Sequence, residues 1–260
     1  MTFIVGFKCK NGLVLAADSL EGDGYSRKIV KKLEIFHKDN WGICWGIAGP
    51  SRQADKFSDK FKESLDDTKT YDRGKIEATM ELCLKLVEKR YPSETGIEAV
   101  AGIFGPRRKT VDLEWLLVRG DSRSACVSLQ ESNCCTGSGD NSLANFILSN
   151  NDMRAARTFQ AQHMAVFVTA LMCEYADRIG KPIKVWTFST KQPRWMPMSY
   201  QEVKKCEKDF SVEAFELAFF RYWESSEQRY YRQWYDEENE EAIARQKTAG
   251  GKDKAPAKNT

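Results

Sequence analysis

The residues with the most chemistry to offer stand at the start of the chain, where Met1 is followed by Thr2 and then by the apolar run FIVGFK. A small second residue lets a methionine aminopeptidase expose Thr2, whose free α-amine would then lie beside its own hydroxyl. An α-amine titrates at roughly 7.7–8.0, so near neutral pH a useful fraction is unprotonated and can take the hydroxyl proton. One residue then supplies both nucleophile and base, with no need of histidine. The chain has only His37 and His163, which leaves almost no material for a His-based triad or an HExxH metal site. His163 falls in a helical stretch and reads as a packed or surface side chain. Eight cysteines, with Cys134 and Cys135 adjacent and no CxxC pair, fit neither a disulfide framework nor a zinc site. They read as reduced, mostly buried thiols, and no cofactor or metal is expected.

Four other short patterns carry groups that such a nucleophile could use, and each has an ordinary structural reading. Asp18 lies in Ala-Ala-Asp-Ser at 16–19, which can be a strand end entering a turn. Lys31-Lys32 can be a solvated strand edge that discourages sheet-to-sheet association. Gly49-Pro50 can simply end a strand. Gly137-Ser138-Gly139 can be a flexible turn or an anion-binding loop.

The elements that must position these groups are legible from periodicity. Runs at 3–8 and 13–17 flank Lys10-Asn11-Gly12, an Asn-Gly hairpin signal. Further strand-like runs occupy 30–36 and 42–49, around Lys38-Asp39-Asn40. Ala54, Phe57, Phe61 and Leu65 then share one face of a helix with Ser51 as its expected N-cap. A second helix covers about 72–90, carrying Ile76, Met80, Cys83, Leu84 and Val87, and Pro92 stops it. Strands return at 99–105, 113–120 and 125–130. Helices are expected at 142–149 and about 159–179, the latter with Phe167, Leu171 and Tyr175 along its apolar side, followed by a strand at 183–189. The order suits two packed sheets between helical layers.

Apolar residues make up 42% of the 260 and charged residues 30%, which is ordinary for a soluble globular chain. Forty Lys plus Arg against 37 Asp plus Glu leave +3, too little to argue for nucleic acid or an acidic membrane. The opening residues reach charge too early for a signal peptide, and no run has 18 uninterrupted apolar residues. A cytoplasmic location is expected. Residues 1–199 are expected to form the main domain and 200–246 a helical extension, with AFELAFFRYW at 214–223 and an aromatic interface at 222–235. Residues 247–260 are expected to be a disordered tail.

Taken together, TFIVGFKCKNGLVLAADS, VKKLEIF and IAG before a helix resemble the proteasome β-subunit and its HslV-type bacterial relatives in motif and order. The resemblance covers residues 2 to about 190 and is strongest in the first 50. It implies an α+β fold, the four-layer αββα sandwich of two antiparallel sheets between helices that N-terminal nucleophile (Ntn) hydrolases share. It puts Thr2 at the nucleophile, Asp18 at the buried carboxylate, Lys32 at the catalytic lysine and Gly49 at the oxyanion hole. Lys31 is the alternative to Lys32, because the intervening loop is slightly short. Ile47 falls where the substrate pocket is lined, Ser138 near the Thr2 amine, and Asp177 on the aspartate after the fourth helix. Where the family has a serine three residues beyond that aspartate, this chain has Gly180. The implied activity is cleavage of peptide bonds through an acyl-enzyme on Thr2, in peptide or unfolded protein substrates, by a homo-oligomeric ring. A catalytically inactive scaffold and an amidase acting on a small amide are the other two readings.

Overall fold

The computed structural model describes residues 2–22, 27–107, 112–137, 142–176 and 179–209. The chain opens with the hairpin β1 (Phe3–Cys9) and β2 (Gly12–Ala17), paired antiparallel from Ile4↔Ala17 to Cys9↔Gly12. A short antiparallel pair follows, β3 (Leu20–Gly22) with β4 (Arg27–Ile29), which periodicity does not reveal because three residues are too few to carry one. The next strands are β5 (Leu33–Lys38) and β6 (Trp41–Ala48). The strand expected from residue 30 therefore begins three residues later: Val30 N–H donates to Ser19 O at 2.8 Å, and Lys32 turns inward.

Two helices, α1 (Ser51–Asp66) and α2 (Arg73–Arg90), come next. Pro50, not Ser51, occupies the α1 N-cap position, with no side-chain cap, whereas Asp72 caps α2 by accepting from Lys75 N–H. The strands β7 (Glu98–Pro106), β8 (Leu113–Asp121), β9 (Cys126–Gln130) and β10 (Asn133–Gly137) then lead to α3 (Ser142–Ser149) and α4 (Thr158–Tyr175). A last hairpin, β11 (Lys184–Ser189) and β12 (Gln192–Pro197), precedes α5 (Tyr200–Asp209). α5 covers the first ten residues of the segment 200–246, and residues 210–260 lie outside the described residues.

Twelve described strands make two five-stranded antiparallel sheets, β10-β1-β2-β11-β12 and β5-β6-β7-β8-β9, besides the β3–β4 pair. Strand order follows from burial. β2 and β6 are buried at every position, so both their faces must be covered. Leu13, Leu15 and Ala17 of β2 meet Val100, Phe104 and Leu117 of the other sheet in one core, while α4 lies against β1, β2 and β11. On the second sheet, Trp45, Ile47, Ile103 and Val118 pack with Phe57 and Phe61 of α1 and Met80 and Leu84 of α2. The sheets leave no room for a side chain at Gly6, where a Cβ would come 2.6 Å from Leu117 Cδ1. The mixed α and β content with antiparallel sheets agrees with the expected α+β class.

Candidate functional site

Asp18 leaves the end of β2 and turns back across the start of β1. Its N–H donates to Phe3 O at 3.3 Å, and its Oδ1 accepts from Phe3 N–H at 2.9 Å. The carboxylate is completely buried, and an isolated charge there would be costly, so the surroundings saturate it. Lys32 Nζ reaches Oδ1 at 2.9 Å and Oδ2 at 2.8 Å, while Oδ2 also accepts from the N–H groups of Leu20 and Gly180, both at 3.2 Å. The Lys32 ammonium, itself only 6% exposed, donates a further bond to Leu20 O. One oxygen atom, Asp18 Oδ1, thus joins the N–H of the Thr2–Phe3 peptide to the Lys32 ammonium, and residue 2 is half-buried just ahead of β1.

The electrostatics of the pair are opposed terms. Burial lowers the Lys32 pKa below the ordinary lysine value of 10.5, and the neighbouring Asp18 charge and hydrogen bond pull it back up. Lys31, the alternative, faces solvent and pairs with Glu34 at 2.8 Å. Lys32 is therefore the lysine that meets Asp18.

Gly49 follows β6 with φ +134°, and a Cβ there would come 2.7 Å from Gly96 O and 2.8 Å from Ile97 Cγ2. Glycine is required by both backbone conformation and space. Gly49→Ala is expected to destabilise the fold by about 1–3 kcal/mol, read as a lower urea midpoint at unchanged m-value. Gly137, opposite Phe3 in the β1–β10 register, also has no room for a Cβ, which would overlap the Thr2 carbonyl oxygen.

Gly180 replaces a serine by resemblance, and the geometry gives its reason. Its backbone serves the site, with N–H bonding Asp18 and its carbonyl accepting from Ser19 N–H at 3.1 Å. The volume a side chain would need is filled by Leu20, whose Cδ2 lies 2.8 Å from where a Cβ would stand. Gly180→Ser alone is expected to cost about 1–3 kcal/mol through overpacking, and Leu20→Ala in the same chain to recover most of it in thermal melts.

Ile47 is buried in the core under α1 and α2, opposite Ala99 in the neighbouring strand. Ser138 and Asp177 lie outside the described residues. A further charged pair, which the sequence reading did not single out, stands on the other side of β1. Glu98, paired in register with Ala48 just before Gly49, accepts from Arg119 Nη2 at 3.1 Å and from the fully buried Thr136 hydroxyl. Glu98 carried a faint signal, a lone charge at the head of the apolar run 99–105. Among the described residues no group of three or more His, Cys, Asp or Glu is arranged to hold a metal ion, and no helix is long and apolar enough to cross a membrane. Clefts of about 610 and 580 Å³ lie away from Thr2, one along α1 and α2 and one beside Lys8, Cys9 and Trp115 at the opposite end of β1.

Two antiparallel sheets with helices against them, and a buried Asp18–Lys32 pair that binds the first strand at Phe3 N–H, make this an α+β fold. The chain is similar to Anbu from Hyphomicrobium sp. strain MC1, in its Gly-1 mutant form, at 14% identity and TM-score 0.69, over 84% of this chain and 96% of that one. It is also similar to Anbu, described as an ancestral beta-subunit, from Yersinia bercovieri, at 12% identity and TM-score 0.67, over 84% and 97%. A third is the Anbu complex from Pseudomonas aeruginosa, described as a helical assembly, at 12% identity and TM-score 0.68, over 83% and 95%. No protein-family model matches the sequence, and no curated protein matches it. These likenesses show the fold. They also correct the assignment to the proteasome β-subunit and HslV-type family, since it is Anbu proteins that these matches along the chain name. The motifs of the first 50 residues follow from a hairpin that ends in a buried carboxylate, a feature of the fold that short motifs cannot attach to one family.

Proposed function

We propose that the chain is a threonine-type Ntn hydrolase that cleaves peptide or other amide bonds, with Thr2 as nucleophile once Met1 is removed. The observation that carries this reading is the Asp18 carboxylate, which binds the Thr2–Phe3 peptide and the Lys32 ammonium at once. In this reading the Thr2 amine takes the hydroxyl proton and Oγ attacks the scissile carbonyl. The C–N bond breaks as the proton passes to the leaving amine, and water then releases the acyl group. Lys32 lowers the pKa of the attacking group, and Asp18 keeps the lysine charged and in place. Gly49 N–H serves as an oxyanion donor, and Ser138 and Asp177 assist at the amine; Ile47, expected in the substrate pocket, packs instead against α1 and α2 and has no part in this reading.

The αββα layering belongs to the same proposal. It is supported by the core shared between the sheets, with α1 and α2 against one sheet and α3 and α4 against the other. Self-assembly is proposed from the Anbu complex described as a helical assembly. A head-to-tail interface gives a ring where the rotation closes and a helix where it does not, and electron micrographs of the purified chain distinguish the two. The proposed activity is tested by intact mass before and after an epoxyketone or β-lactone. Loss of Met1 followed by a single adduct on Thr2 supports it. A folded chain that has lost Met1 and takes no adduct is the inactive scaffold. Peptide-library turnover separates protease from small-amide hydrolase.

A further inference from the structure

Thr2 stands at the head of β1, and β1 has a different neighbour on each side. On the β2 side Asp18 holds Lys32. On the β10 side Thr136, opposite Ile4 in the register, donates its hydroxyl to Glu98 Oε2, while Glu98 Oε1 accepts from Arg119. Glu98 is also the partner of Ala48, the residue before Gly49. The pair therefore stands at the same end of the two sheets as Thr2 and Gly49.

Packing does not account for it. The same faces of β7 and β8 carry Val100, Phe104 and Leu117, which fill the core between the sheets. One step further along each strand on that face stand Glu98 and Arg119, with side chains 36% and 42% exposed. A glutamate and an arginine, both part-exposed at the end of the strands that carry the core between the sheets, are placed to meet a polar ligand.

The unfilled hydrogen-bonding capacity says which kind. Both Glu98 oxygens are occupied, one by Arg119 and one by Thr136. Arg119 is the reverse case: a guanidinium has five N–H donors, and among the described residues only its Nη2 is engaged, by Glu98. A planar fork fixed at one corner and open elsewhere matches a carboxylate, which it can bind through two parallel bonds. We propose that Arg119 is a specificity-determining residue of the Thr2 cleft, binding a carboxylate of the peptide substrate while Glu98 and Thr136 hold its guanidinium in place. The carboxylate is an acidic side chain or the C-terminus of the peptide. This inference rests on the Ntn-hydrolase reading for its cleft and deepens it by naming a substrate class.

The test uses the full chain with Thr2→Ala, so that binding is read without turnover. Four fluorescein-labelled octapeptides of alanine and leucine are titrated by anisotropy: a central Glu or its isostere Gln, each with a free or amidated C-terminus. The Glu peptides, or the free-acid peptides, are expected to bind about 10- to 100-fold more tightly than their neutral counterparts, and which of the two does so identifies the source of the carboxylate. In Thr2→Ala with Arg119→Gln that preference is expected to disappear while the affinity of the neutral, amidated peptide is kept. Should Arg119→Gln fail to fold, Arg119→Lys carries the same test, since an ammonium keeps the charge but not the fork and the preference falls several-fold. Equal affinity for all four peptides, no binding of any of them, or a preference that survives the change at Arg119 overturns the inference. Electrophile labelling of the unaltered chain reads the hydrolase proposal separately. A carboxylate preference without labelling leaves Arg119 recognition standing and removes the nucleophile.

Discussion

A Thr2→Ala chain is expected to lose peptide turnover by roughly 10³- to 10⁶-fold and to take no adduct from a threonine-directed electrophile, while keeping its fold. The size of the loss follows from the chemistry: alanine retains the amine but has no oxygen to acylate, so the covalent route closes and water alone remains. The retention of fold follows from the packing. Thr2 is half-buried ahead of β1, and the buried anchor of that strand is Phe3, whose N–H bonds Asp18. Fluorogenic peptide hydrolysis gives the rate, and calorimetry the melting temperature. Thr2→Ser should return part of the activity, because it restores a hydroxyl next to the amine. Undiminished turnover in Thr2→Ala would remove this residue from the mechanism.

Lys32→Met should damage both stability and rate. Methionine fills much of the lysine stem's volume but leaves Asp18 buried without its cation, a change that typically costs about 3–5 kcal/mol. The N–H groups of Phe3, Leu20 and Gly180 still solvate the carboxylate, which places the expected loss toward the lower end of that range. Asp18→Asn together with Lys32→Met removes the orphaned charge and should recover part of the lost stability, but none of the activity. That split between urea midpoint and kcat separates an electrostatic role from a packing one. The intact pair should also show in the pH profile. Burial lowers the Lys32 pKa below 10.5, so as pH rises the ammonium is lost before the ordinary lysine range is reached. The alkaline limb of kcat/KM is therefore expected below pH 10.5, and a profile flat up to that value would separate the lysine charge from catalysis.

Local signals were strong where a motif spans one element or one turn. The Asn11-Gly12 turn fixed the first hairpin, and the spacing of Phe57, Phe61 and Leu65, and of Ile76, Met80 and Val87, marked the buried faces of α1 and α2. Signals failed where an element is short or its composition is shared with turns. β3 and β4 have three residues each, β10 reads Asn-Cys-Cys-Thr-Gly, and β12 contains two prolines, so none offers an alternation to detect. The family assignment failed for a related reason. It rested on short motifs concentrated in the first 50 residues, whereas the likeness to Anbu runs along 84% of the chain at an identity of 14% or below.

The sequence by itself determined the chemical inventory: a threonine behind the initial methionine, two histidines in all, an aspartate at a strand end, and a choice between two adjacent lysines. Tertiary structure decided which of these meet. Lys32 turns inward and Lys31 outward because strand pairing of Leu33 with Gly46 sets the direction of the chain just before it. The space beside Gly180 is filled by Leu20, 160 residues away in the chain. Glu98, Arg119 and Thr136 come from three strands in two sheets, and nothing in their local sequence ties them together. Hydrophobic burial positions the backbones, and the polar groups left at the end of the sheets take whatever partners that packing brings within reach.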